Sequence, residues 1–252
     1  MNEDVELTER IDRFRKAVQA PIAGAACFED AARAFANALY SEFADFVVLA
    51  RVFAVIPFRA LPPADRDYVR ASLGGRTPNV LGDATPVLTL FGTRGIEPHW
   101  NDRTLSRDHR AIALVSDAFV EEAPMIAKLF AEIDASPRGA ADGDWQFVKK
   151  VADGDGLFFV GDARTMTDSR GRRVIPAEAF VERYGVRTVF GFGTHLPDTG
   201  TVIAVIVFCR KTLMRSLAYR FVQLIDTIQS GTRDSVARGV LFAVPQSNAE
   251  SP

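Results

Sequence analysis

Two cysteines, three histidines and two tryptophans in 252 residues leave this chain short of several residue types on which metal centres and disulfide scaffolds are built. Cys27 and Cys209 lie far apart and form no CxxC pair, which excludes a disulfide framework and a cysteine-paired zinc or redox motif. Both are expected to be buried thiols, since a free cysteine usually packs as a small hydrophobe. An excess of one charge is also missing. With 30 basic and 32 acidic residues the net charge is -2, which argues against a dominant nucleic-acid footprint. No uncharged run reaches the roughly 18 residues of a membrane span. The first thirty residues carry charges throughout and no apolar signal-peptide core. A cytoplasmic protein is expected, with neither nucleic acid nor membrane as partner. No fixed-period repeat is present, which removes solenoids and propellers.

Hydrophobic residues make up 48% of the chain, enough for a substantial core. The stretch Val186 to Arg210 organises the rest. Two runs rich in Val, Ile, Phe and Thr flank Leu196-Pro197-Asp198-Thr199-Gly200, a turn in which proline fixes φ and glycine permits a positive one. This predicts a long β-hairpin. In its second arm Val202, Ala204, Ile206 and Phe208 point one way and Ile203, Val205 and Val207 the other, so both faces are apolar and the strand belongs inside a covered sheet.

Upstream, Leu7, Ile11, Phe14 and Val18 recur at helical spacing, predicting an amphipathic helix that ends near Pro21 and Gly24. A second helix is predicted from Phe28 to Phe43. Phe46 to Ile56 follows as a strand whose one charge, Arg51, marks either a sheet edge or a paired side chain. A short helix over Ala64–Leu73 and strands at Pro86–Phe91 and Ile112–Val115 come next. A single helix then runs from Ser116 or Asp117 to Ile133, with Pro124 in its first turns. Ala135 to Asp144 reads as a surface loop, while Gln146–Ala152 fits a helix or a strand. A strand at Gly156–Gly161, a helix at Pro176–Tyr184 and a helix at Leu213–Ile228 complete the pattern, and the tail from Pro245 is expected to be disordered.

Helices at both ends and a hairpin between them predict an α+β fold with an antiparallel sheet. The hairpin and its following helix, together with FEDAARAFANALYSEFADFVVLARVF at the other end, resemble a GAF-type sensor domain. More specifically, LTLFGTRGIEPHWNDR before AIALVS resembles the GAF-like input regions of bacterial two-component sensor proteins. The resemblance implies a central antiparallel sheet of five to six strands, N- and C-terminal helices packed on one face, and a ligand pocket or variable loops on the other. It also implies a non-enzymatic, signal-input role: an unknown small molecule biases a homodimer through its terminal helices, with output through a separate protein. The corresponding organisation is a candidate dimerisation helix at 1–27, a GAF-like domain at 28–230 and a C-terminal segment at 231–252.

Gly92 to Arg103 is dense in functional groups. Arg94 and Arg103, with Arg107 and Arg110 just beyond, offer forked donors to a carboxylate or phosphate, and Trp100 offers a stacking surface. Glu97 and Asp102 support the opposite reading, a solvated loop whose charges pair among themselves. The candidate ligand-binding set is Arg94, Glu97, Trp100, Asn101, Arg103, His109 and Phe192, with the loop folded over the sheet towards Phe192 and Phe159. Other chemistries fit less well. There is no GxSxG nucleophile turn and no helical HExxH. His99, His109, His195 or Cys209 could ligate haem in principle, though such a histidine is more often a structural hydrogen-bonding group. Cys209 sits at a strand end without a neighbouring histidine, a poor match to a bilin attachment site. Gly191-Phe192-Gly193 lies within a strand and no helix follows it, so it reads as close packing or a bulge and not as a dinucleotide fingerprint. A second reading of the whole is a GAF-shaped interaction or scaffold module whose pocket is filled by its own side chains.

Overall fold

A strand that is apolar on both faces needs hydrogen-bonded neighbours on both edges and cover above and below. The eleven-residue β1 (Val47–Pro57) obtains all of these at the centre of a six-stranded sheet. The structure, a computed structural model, describes residues 3–74, 81–107, 109–133, 135–139, 145–149, 156–196, 199 and 201–244. Before β1 come α1 (Glu3–Ala23) and α2 (Phe28–Glu42); after it come α3 (Pro63–Ser72), β2 (Pro86–Gly95) and β3 (Ala111–Ala113). The middle of the chain forms α4 (Asp117–Glu121), α5 (Pro124–Glu132), β4 (Ala135–Gly139), β5 (Trp145–Lys149), β6 (Leu157–Val160) and α6 (Glu178–Arg183). The hairpin strands β7 (Thr188–His195) and β8 (Val202–Cys209) follow, then α7 (Arg215–Tyr219) and α8 (Ile225–Ala237).

The sheet runs β3-β2-β1-β8-β7-β6, antiparallel at every pairing. The predicted hairpin is there, in register from Thr188 opposite Cys209 to His195 opposite Val202. Pro197, Asp198 and Gly200 of its turn lie outside the described residues. Arg51 is not at an edge. It stands on a central strand opposite Thr93 of β2 and Ile206 of β8.

One face carries the terminal helices. Ile11, Phe14, Val18 and Ile22 of α1, Phe35 and Leu39 of α2 and Ile228 of α8 are buried there with Phe190, Phe192, Val205 and Val207 of the sheet. Each large apolar side chain so buried contributes about 1.5–3 kcal/mol. The apolar stripe of α1 is therefore spent on the core of its own chain. α2 approaches the sheet closely: a Cβ on Gly92 would lie 2.2 Å from the carbonyl oxygen of Ala32. The two thiols are buried as expected, Cys27 as the N-cap of α2 and Cys209 within this same layer, where burial raises its pKa.

The opposite face holds a second core, in which Leu49, Phe53, Ile206 and Phe208 of the sheet meet Leu129 and Phe130 of α5 and Val181 of α6. Gly191 and Gly193 face this side, and a Cβ on either would lie under 3.0 Å from a β8 carbonyl oxygen, so the GFG motif serves close packing.

Several boundaries differ from expectation, each for a local reason. The helix predicted from 116 to 133 is two helices, because Pro124 pushes Ala123 out of helical geometry to φ -106°, ψ 92°. The segment read as a surface loop from Ala135 contains β4, paired with β5 from Ala135–Lys149 to Gly139–Trp145. β2 continues to Gly95, beyond the predicted Phe91, by means of a bulge at Val52/Phe53 that admits one extra residue. The terminal helix is divided into α7, a 3-10 turn at Val222–Leu224, and α8, which reaches Ala237. Among the described residues no helix is long and apolar enough to cross a membrane.

Candidate functional site

On the face away from the terminal helices, a cavity of about 420 Å³ opens over the two central strands. Its floor is Leu49, Arg51 and Phe53 of β1 with Ile206 and Phe208 of β8. These residues share a face because strand side chains alternate, and β1 and β8 pair directly, Arg51 opposite Ile206. The segment that follows β2 supplies one wall: His99, Trp100, Leu105, Ser106, Arg107 and His109. Met125 of α5 and Ile175, Pro176, Ala177 and Phe180 in and before α6 supply the other. Among the described residues that line it there is no carboxylate, whereas two arginines and two histidines do.

Trp100 is the corner of the aromatic wall. Its ring lies 4.7 Å from Tyr184 and 5.6 Å from Phe180 between centroids, and Phe180 in turn meets Phe208 edge-on at 5.3 Å. Gly95 makes room for it, since a Cβ there would come within 2.7 Å of the indole. Below the wall, the Tyr184 hydroxyl donates to Glu97 at 2.9 Å. Removal from water and that acceptor both raise the phenol's pKa. Asn101 accepts from the Gly95 amide at 2.9 Å, closing the turn that aims Trp100.

The loop is fastened from behind by an ion cluster. Asp65 of α3, wholly buried, accepts from Arg103 at 2.8 Å and from Arg110 Nε at 2.6 Å, while Arg103 also donates to Glu29 of α2 at 2.8 Å. Burial, the largest single influence on Arg103, works against its charge. The carboxylates of Asp65 and Glu29 together outweigh it, so the guanidinium's pKa is raised. The Tyr68 hydroxyl donates to the Arg107 carbonyl and holds the same loop. Glu29 also reaches the C-terminal segment, accepting from the Ala243 amide at 3.2 Å. Phe242 of that segment stacks on Phe91 and lies under the Arg103 guanidinium, 5.0 Å from it.

The seven residues expected to bind a ligand are thus divided. Trp100 and His109 line the cavity. Glu97 and Asn101 stand one step behind it, holding Tyr184 and the Trp100 turn. Arg103 is committed to Asp65 and Glu29, which corrects its reading as a ligand donor. Arg94 points to the helical face, 5.9 Å over the Tyr40 ring. Phe192 belongs to the helical-face core, and Phe159 packs against that core too, so the loop does not meet them. The alternation of β7 explains this: with Val189, Gly191 and Gly193 facing the cavity side, Phe190 and Phe192 must face the other. Arg51 and the floor of β1 and β8 were not singled out as site residues. The signal was there: Arg51 is the one charge in an otherwise apolar strand and shares parity with Leu49 and Phe53. Cys209 lies across the sheet from the cavity. Among the described residues no group of three or more His, Cys, Asp or Glu is placed to hold a metal ion.

The arrangement matches the architecture expected from the sequence: a six-stranded antiparallel sheet with the terminal helices on one face and loops closing over a cavity on the other. No protein-family model matches the sequence, and no curated protein matches it. Among solved structures the chain is similar to the phycoerythrobilin-bound GAF domain from a cyanobacterial phytochrome, at 9% identity and a TM-score of 0.47, over 92% of this chain and 98% of that one. A likeness at that level says nothing of what this chain binds.

Proposed function

We propose that the chain is a non-enzymatic signal-input domain that holds a small molecule in the cavity over β1 and β8. The observation that carries this reading is the cavity itself. Its volume, about 420 Å³, falls within the roughly 300–1,000 Å³ of small-molecule sites, and its walls combine apolar surface with a few convergent polar groups. The scaffold-module reading requires side chains to fill that space, which the open cavity disfavours.

Signal leaves this domain, in our reading, through the loop that walls the cavity. Arg103 joins that loop to α2, α3 and Phe242 of the C-terminal segment, so a ligand that shifts Leu105 to His109 also loads the segment after α8. A homodimer through the terminal helices would use their outward surfaces, because the apolar sides are turned inward. A groove lined by Arg15, Gln19, Gln223 and Asp226 lies there.

Native against denaturing mass spectrometry of freshly purified protein tests the reading. The expected result is a mass excess of a few hundred daltons that vanishes on denaturation, or that appears when a cell-metabolite extract is added. A chain of unchanged mass in both conditions, with and without extract, would count against a small-molecule sensor.

A further inference from the structure

Resting on that reading, the distribution of polarity over the cavity narrows what it holds. Apart from the half-buried Ser106, the polar groups of its lining are exposed or already engaged. His99, Arg107 and His109 are exposed, while Arg51 on the floor and His109 both interact with groups of the chain itself. The depth of the cavity is different. Leu49, Phe53, Ile175, Ile206 and Phe208 are buried hydrocarbon side chains, and a ligand gains there in proportion to the apolar area it removes from water. Four rings belong to the lining: Phe53, Trp100, Phe180 and Phe208. Three of them form a linked series, Trp100 meeting Phe180 at 5.6 Å and 61°, and Phe180 meeting Phe208 at 5.3 Å and 89°. A further aromatic ring pairs well with either the face or the edge of such rings.

We propose that the cavity selects a flat aromatic ring compound by its rings and not by its charge. The rings lie buried on Leu49, Phe53, Ile206 and Phe208, beside Trp100 and Phe180. A polar substituent stays at the mouth, among the exposed side chains, where water remains within reach and charges are screened. Trp100 is the selecting residue. Its indole is already fixed, 4.7 Å from the Tyr184 ring and seated over Gly95, so little freedom is lost when a ligand arrives.

The test is calorimetric titration of the full chain with three probes of matched outline: 2-naphthamide, its saturated counterpart decahydronaphthalene-2-carboxamide, and 2-naphthoate. 2-Naphthamide should bind at least about threefold more tightly than the saturated amide, the contribution of aromatic pairing beyond burial. 2-Naphthoate should lie within about fivefold of 2-naphthamide, because a charge at the exposed mouth is screened. Trp100→Leu keeps an apolar side chain but removes the ring, and should abolish most of the preference for the aromatic amide while the saturated one binds as before. Should that variant not fold, Phe180→Leu, at a half-buried position, should reduce the same preference. A smaller preference in the parent chain, a wider gap between acid and amide, or a preference unchanged in a folded variant would overturn the ring selection and leave the cavity as a ligand site. Binding by none of the three probes would overturn the ligand-site reading and this inference together.

Discussion

Replacing Asp65 with alanine will lower the melting temperature by about 6–20 °C, corresponding to roughly 3–5 kcal/mol for a domain of this size. Asp65 has no exposed surface and is bonded to two guanidinium groups, those of Arg103 and Arg110. Arg103 is itself 8% exposed, so water cannot replace the lost carboxylate. Its other partner, Glu29, would remain, but Arg110 would have no acid among its described ion pairs. The cost is that of a buried charge deprived of its partner, not the net worth of the bridge. Replacing Arg103 by methionine should cost less, since Asp65 then keeps Arg110. Thermal unfolding followed by circular dichroism measures both. A fall below about 2 °C for Asp65→Ala would show that the cluster is solvated and does not fasten the loop.

Gly92→Ala is the second large effect, expected at about 1–3 kcal/mol or more from overpacking. One methyl group would be placed 2.2 Å from the Ala32 carbonyl oxygen, 2.4 Å from its carbon and 2.9 Å from the Arg33 nitrogen. These are backbone atoms of a helix and cannot rotate aside as a flexible side chain would. α2 must lift from β2, or β2 must bend, and either movement opens the core around Phe28 and Phe91, whose rings meet at 4.7 Å. Gly82→Ala is the control, since a Cβ there meets nothing within 4 Å. It should lie within about 0.5 kcal/mol of the parent chain. Urea denaturation midpoints compare the two, and equal midpoints would remove the close approach of α2 from the account.

The sequence made the layers of this fold legible because its periodicities are clean. The stripe Ile11, Phe14, Val18 is helical in spacing, and the doubly apolar runs of β1 and β8 demanded central positions in a sheet. Boundaries failed where one residue decides them. Pro124 was read as tolerable within a first turn, yet it begins a new helix, because its ring acts on the residue before it. The site was only half legible. Loop composition pointed to a segment that walls the cavity, with Trp100 and His109 in its lining. Composition cannot tell a guanidinium held by a distant carboxylate from one facing a ligand, and Glu29 and Asp65, which claim Arg103, lie 74 and 38 residues before it. Strand parity told which residues travel together but not which face carried the cavity. Phe192 thus lies in the helical-face core, and Arg51 lies on the face that carries the cavity.

Hydrogen–deuterium exchange of the full chain, with and without added cell-metabolite extract, tests the central claim most directly. The account predicts slower exchange at 47–53, 97–109, 175–180 and 203–208, the strands and loops around the cavity, with a further change at 239–244 transmitted through Arg103 and Phe242. Protection confined to the groove between α1 and α8, or exchange unchanged throughout, would contradict it.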